Sequence, residues 1–161
     1  PAERKHRVNE MLEAVDLLGL SRRDYRTPIL GLIDHALAFG FDEARGGLYA
    51  YGPETGKAVS STLPRRCLIK AWWEQVEGLN AFIAAYEWTR DAKYLRAFER
   101  TFDWCWDYQM DHACGDWYQD VDPESGKPLH TAQGGEFKTA FHASRCLIRV
   151  STALRNLVAT P

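Results

Sequence analysis

Gly46-Gly47-Leu48-Tyr49-Ala50-Tyr51-Gly52-Pro53-Glu54-Thr55-Gly56-Lys57 is answered, about 70 residues on, by Gly115-Asp116-Trp117-Tyr118 and then Pro123-Glu124-Ser125-Gly126-Lys127. In each copy a glycine turn precedes a short aromatic stretch, and a Pro-Glu-x-Gly-Lys turn closes it, the pattern of a small strand-and-turn element. The helical stretches that follow also align, Lys70 with Lys138. The repeating unit is therefore helix, short hairpin, helix, helix. Such helix pairs cannot bury their apolar faces alone and must stack on neighbours. Long turns gathered at one end of the stack would line one mouth. The expected fold is all-α, an α/α toroid with short β-hairpins at one end.

The helices themselves are read from apolar spacing. Val8, Met11, Leu12, Val15 and Leu18 recur three or four apart over Lys5 to Leu18, and Gly19 ends that run. Ser21 is placed to cap a second helix, in which Ile29, Leu32, Ile33, Ala36 and Leu37 carry the period to about Phe39 and Gly40 closes it. Further helices are expected over Cys67 to Trp88, Asp91 to Met110 and Phe137 to Leu157. Five helices with two hairpins make one domain over residues 1–161.

Composition narrows the class. With 161 residues the chain can bury a real core, and a formal charge of −2 gives no general attraction to nucleic acid or to membrane phosphates. No apolar run approaches the roughly 18 residues needed to cross a bilayer. Pro1 to Val8 is charged, without the apolar centre of a signal peptide, and the missing initiator Met suggests a chain that is processed or cut from something longer. Cys67, Cys105, Cys114 and Cys146 are widely spaced with no Cys-x-x-Cys pair, which suits reduced, mostly buried thiols in a cytoplasmic protein. Aromatic residues make up 12% of the chain, enough to fill helical cores and to stack on sugar rings.

Two stretches could carry chemistry. In Lys70-Ala71-Trp72-Trp73-Glu74-Gln75-Val76-Glu77, helical spacing would set Lys70, Trp73, Glu74 and Glu77 near one face. Two carboxylates, a cation and an indole do not make a core stripe. They suit either an ion-paired helix start or a polar pocket in which Trp stacks on a sugar while Glu and Gln bind hydroxyls. In Glu136-Phe137-Lys138-Thr139-Ala140-Phe141-His142-Ala143-Ser144-Arg145, the same spacing would align Lys138, His142 and Arg145. An imidazole between two cations is expected to stay neutral, as a general base must. Its repeat-mate is Glu74, so both units offer an ionisable group at one place. His35 reads as packing or surface, His112 and His130 as loop residues. No metal, dinucleotide, P-loop or nucleophile-elbow signature occurs, and no metal or cofactor is expected.

These motifs resemble those of the N-acylglucosamine 2-epimerase family, which includes cellobiose 2-epimerases and mannose isomerases. Lys70 to Glu77 is similar to the family's Lys-x-Trp-Trp-x-Gln-x-Glu helix start. The two Gly-x-aromatic hairpins are similar to its hairpins, and Lys138 to Arg145 to its Lys-x-x-aromatic-His-x-x-Arg motif. The resemblance implies part of an (α/α)6 barrel, the C-terminal half. It implies proton transfer at C2 of a ring-opened mono- or disaccharide through an enediol, without metal. His142 matches one family histidine, Trp72 or Trp73 the stacking indole, and Gln75, Glu77, Lys138 and Arg145 the polar substrate-binding positions. The second histidine belongs to a Gly-His-x-x-Glu segment that falls on Ala2-Glu3-Arg4-Lys5-His6. Glu and His are exchanged there, which leaves His6 as the second catalytic candidate.

The expected function is thus a sugar 2-epimerase or aldose–ketose isomerase, the alternative a carbohydrate-binding or degenerate half-barrel without turnover. A hydrolase or lyase acting on uronates would want paired Asp residues at facing helix starts, and no such pair is seen. Half a barrel leaves apolar faces open, which implies self-association into a homo-oligomer or a missing N-terminal half.

Overall fold

The apolar spacing of the first segment folds as expected for Val8, Leu12 and Val15, each 2% exposed on helix α1, Ala2–Leu17, whereas Leu18 lies past the helix end and is 70% exposed. The computed structural model describes residues 2–51 and 68–159, and the side chains from residue 8 onward within them. His6 and Glu3 by their side chains, the Pro53–Lys57 turn, and Cys67 lie outside what is described. After Gly19, whose φ of 61° closes the first helix, α2 runs Arg22–Gly40 and buries Ile29 and Ile33. Ser21 occupies the N-cap position of α2 but makes no side-chain capping bond. His35 packs on Phe39 of the same helix at 4.7 Å between ring centroids.

The third helix begins later than its apolar pattern suggests. Residues Lys70–Ala71 form strand β1, and α3 spans Trp72–Thr89. Lys70 therefore does not share a helical face with Glu77, because its backbone is taken up by pairing with strand β2, Asp120–Val121. The pairing is antiparallel, with Lys70 opposite Val121 and Ala71 opposite Asp120. Helix α3 is buried on all sides from Glu74 to Ala85, the mark of a central helix. It packs against α1, against α2, against α4 (Ala92–Trp104) and against α5 (Ala140–Ala159). Arg90, in the left-handed region at φ 58°, ends α3, and the Asp91 carboxylate accepts from Lys93 N at 2.9 Å to start α4. The expected long fourth helix changes pitch at Cys105–Gln109, a π-helical turn that ends where Met110 pairs with Trp117. The last helix starts at Ala140, so Lys138 precedes it and is not on the same helix as His142 and Arg145.

The architecture is a row of α1, α3 and α5, with α2 laid on α1 and α3, and α4 on α3. The connections gather at the N-terminal ends of α3 and α5. Ala50 N donates to Ile69 O at 2.9 Å and Trp72 N to Gln119 O at 2.8 Å, tying both hairpin regions together there. Three turns in these connections share one construction. Asp42, Asp111 and Asp122 each accept two backbone N–H groups on Oδ1, and each accepts the N–H of the glycine four residues on with its carbonyl. Of the cysteines, Cys105 and Cys146 are buried and Cys114 is exposed, all three as free thiols. The outer side of α5 shows Phe141, Leu147, Ile148 and Val158, all more than half exposed, where α3 by contrast is covered by α4. No helix among the described residues is long and apolar enough to cross a membrane.

Gly46 is fixed by its surroundings: its φ is 81°, and a Cβ there would lie 2.2 Å from the Arg100 carbonyl oxygen. Gly46→Ala must strain the backbone and push α4 away, and is expected to lower unfolding free energy by about 3 kcal/mol in urea titration.

Candidate active site

One carboxylate organises the space between the three row helices. Glu77, on α3, is fully buried, and its side chain receives donors from both flanking helices. His142 Nδ1 lies 2.7 Å from Oε1. Arg145 Nη2 straddles the group, 2.6 Å from Oε1 and 2.7 Å from Oε2. Asn9 of α1 donates through Nδ2 to Oε2 and, at 3.0 Å, to the Glu77 carbonyl. A carboxylate offers about four lone-pair positions, so these bonds fill it. Burial pushes the Glu77 carboxyl up, but the bonds from Asn9 and His142 and the charge of Arg145 outweigh it and hold the group below its usual 4.5. The ionised carboxylate can only accept, so Nδ1 of His142 is the donor in this contact and Nε2 is the ring nitrogen left facing away from Glu77. The flanking cations expected to keep this imidazole neutral are arranged otherwise. Arg145 is turned onto Glu77, Lys138 is off the helix, and the charge nearest His142 is negative.

Aromatic rings surround the imidazole. Trp72 meets it edge-on at 5.4 Å, Trp73 at 6.3 Å and 41°, and Phe141 at 5.2 Å. Trp72 is only 3% exposed, whereas Trp73 is half-buried, so Trp73 presents the more accessible indole. Both expected indoles and both ionisable partners on α5 therefore converge with Glu77 on one locus. Further charge pairs link α1 to α5: Glu13 accepts from Arg149 at 3.0 Å and lies 4.0 Å from Arg145.

The remaining predicted residues brace the mouth. Gln75 is fully buried, accepts from Leu48 N at 2.8 Å, and donates to Leu48 O at 2.7 Å and Ala71 O at 3.1 Å. Its amide thus pairs with the hairpin backbone as a strand would, and a Cβ on Gly47 would lie 2.8 Å from its Oε1. Gln75 and Glu77, expected to bind sugar hydroxyls, have these hydrogen-bonding groups committed inside the protein. Lys138 Nζ bonds Asp116 at 2.8 Å and the Gln133 carbonyl, and sits 5.4 Å from the Trp72 ring centroid. Lys70 does the same for the first hairpin. Its Nζ bonds Asp42 at 2.8 Å and the Gly46 carbonyl at 2.5 Å, 3.5 Å from the Trp104 ring centroid. Burial pushes the Lys70 ammonium down to about 8 against the pull of Asp42. Asp42, raised by burial, is brought below its usual value by the bond and charge of Lys70 and the bond from Tyr49. Asn9 and Glu13 were not among the residues read from sequence as functional. The one signal for Asn9 is a polar side chain beside the buried stripe of α1, and Glu13, its side chain 35% exposed, gives none.

Comparison with known proteins follows the same outline. The sequence profile of the family described as N-acylglucosamine 2-epimerase (GlcNAc 2-epimerase) matches residues 11–146. N-acylglucosamine 2-epimerase of Bos taurus is 30% identical over 119 residues, which are 74% of this chain and 27% of that protein. The crystal structure of a D-mannose isomerase superposes with a TM-score of 0.77 at 23% identity, covering 94% of this chain and 36% of that one. Cellobiose 2-epimerase from Bacillus thermoamylovorans gives a TM-score of 0.74 at 28% identity, covering 92% and 37%. The chain thus spans 27% of the bovine relative's length and little more than a third of the solved chains.

The buried carboxylate makes stability depend on acid. Because the folded value of Glu77 lies below 4.5, its stabilisation is complete above that pH and is lost as pH falls through the lower folded value. Glu77→Gln should cost about 3 kcal/mol near neutrality, by leaving Arg145 buried without its anion. In urea titrations carried from about pH 7 to about pH 3, the gap between wild type and variant should narrow.

Proposed function

Since the chain belongs to the N-acylglucosamine 2-epimerase family, we propose that His142 exchanges the proton at C2 of a ring-opened aldose, as part of a sugar 2-epimerase or aldose–ketose isomerase. The observation that carries this reading is the Nδ1 contact of His142 with the buried Glu77 carboxylate beside two indoles. The named relatives supply the substrate class: N-acylglucosamine, D-mannose and cellobiose.

In this reading an indole face, that of Trp73, takes the apolar side of the sugar, and Nε2 removes the C2 proton. The C2–H bonding pair becomes the C1–C2 double bond of the enediol, and the carbonyl oxygen at C1 gains a proton. The imidazolium that forms lies against Glu77, whose fixed negative charge lowers the cost of that step without reorganising. Returning the proton to C1 from the same imidazole, as the C2 hydroxyl loses its proton to solvent and becomes the carbonyl, yields the ketose and needs one base. Delivering a different proton to the opposite face of C2 from a second acid, for which His6 is the candidate, yields the epimer as the C1 hydroxyl loses its proton and the C1 carbonyl re-forms, and His142 keeps the proton it took until solvent removes it. In this reading Gln75, Glu77 and Lys138 shape the site through the hairpins and the imidazole, and Arg145 holds the carboxylate.

The test is isotope exchange at C2, followed by proton NMR in D2O with N-acylglucosamine, mannose and cellobiose as separate substrates. His142→Ala should slow exchange by a factor on the order of 100 or more, with the fold intact by circular dichroism. Exchange unchanged in the variant would refute the assignment. Sugar binding with no exchange in the wild type would favour the carbohydrate-binding alternative.

A further inference from the structure

We infer that Asn9 is a positioning residue, holding the Glu77 carboxylate in the one orientation that keeps His142 protonated at Nδ1; this rests on the reading of His142 as the base. Asn9 is fully buried on α1 among Val8, Leu12 and Val15, where an apolar side chain would pack without penalty. Its nitrogen meets two acceptors of a single residue, the Glu77 carbonyl and Oε2, which fixes the orientation of its amide. Its own Oδ1 has no hydrogen-bond partner among the described residues. A buried amide with an unmet acceptor costs stability, so the gain lies in what its nitrogen holds.

The other donors to that carboxylate both come from α5. His142 and Arg145 are three residues apart on one helix, and Arg145 reaches both oxygens, so this pair would follow the carboxylate if it turned. Asn9 comes from the opposite side. It joins the end of the Glu77 side chain to the main chain of the same residue and so resists that rotation. Without it, one lone pair on Oε2 opens in a buried site. Either water takes it or the carboxylate swings, and the bond to Nδ1 weakens in both cases. The proton can then move to Nε2, where the ring no longer acts as a base toward C2.

The measurement is the nitrogen-15 spectrum of the His142 ring, which distinguishes the two neutral tautomers without any turnover. Wild type should show a single Nδ1–H form. Asn9→Leu, of similar size, should show a mixture with Nε2–H, together with a loss in C2 exchange rate on the order of 10-fold to 100-fold and a KM within about two-fold. If Asn9→Leu does not fold, Asn9→Asp is read instead, since its carboxylate when ionised cannot donate to Glu77. A folded variant that keeps the pure Nδ1–H tautomer and loses stability alone would overturn the inference. Wild type that exchanges none of the sugars, while the tautomer shifts in the variant, would refute the proposed reaction and leave the positioning role standing.

Discussion

A carboxylate with no access to water, set in the most enclosed helix of the protein, is what the arrangement of the other helices answers to. Glu77 would be costly to bury alone. It is tolerable because α1 and α5 each bring a donor to it, and those donors fix how the two helices lie against α3. The carboxylate is thus a packing constraint and an electrostatic one together. The same bonds that close the row of α1, α3 and α5 also give His142 its tautomer. The site is assembled by the fold's own need to satisfy a buried charge.

The mouth of the site is built on a second principle, the lysine staple. Lys70 and Lys138 each run an ammonium into a hairpin, meet an aspartate and a backbone carbonyl, and lie over a tryptophan ring. Each precedes a helix of the candidate site, α3 in one case and α5 in the other. Gln75 adds an amide that pairs with Leu48 on both its N–H and its carbonyl. The N-terminal ends of the two helices, and with them Trp72, Trp73 and His142, are held by bonds to the connections.

Helix order, the all-α class, the hairpins at one end and the convergence of Trp72, Trp73, Glu77, His142 and Arg145 were legible in the sequence, through apolar period and the repeated stretches with the motifs they carry. The starts of α3 and α5 were not. Helical spacing places Lys70 and Lys138 a turn before the indoles and the imidazole. Pairing of β1 with β2 and the demand of a buried ammonium for oxygen partners override local propensity there. The roles of Gln75 and Glu77 were also hidden. A Gln or Glu on a polar-looking face reads as a ligand for hydroxyls, and only the tertiary arrangement reveals the partners these groups hold inside the protein. The Asp-x-x-x-Gly spacing occurs at Asp42, Asp111 and Asp122, where the glycine marks a turn in the sequence and the aspartate's part in closing it shows only in the fold.

Those three aspartate turns bear on how this scaffold changes. Each turn is closed by its own first and fifth residues, and in the first two the residues between, Glu43-Ala44-Arg45 and His112-Ala113-Cys114, point outward. Glu43 reaches Arg100, and His112 bonds the Trp106 carbonyl at 2.6 Å, but the loop itself is closed by backbone and aspartate. Substitution at these places can therefore vary the edge of the opening while the helices beneath keep their register. A single architecture can in this way vary its surface by changing small cassettes whose backbone shape is already guaranteed.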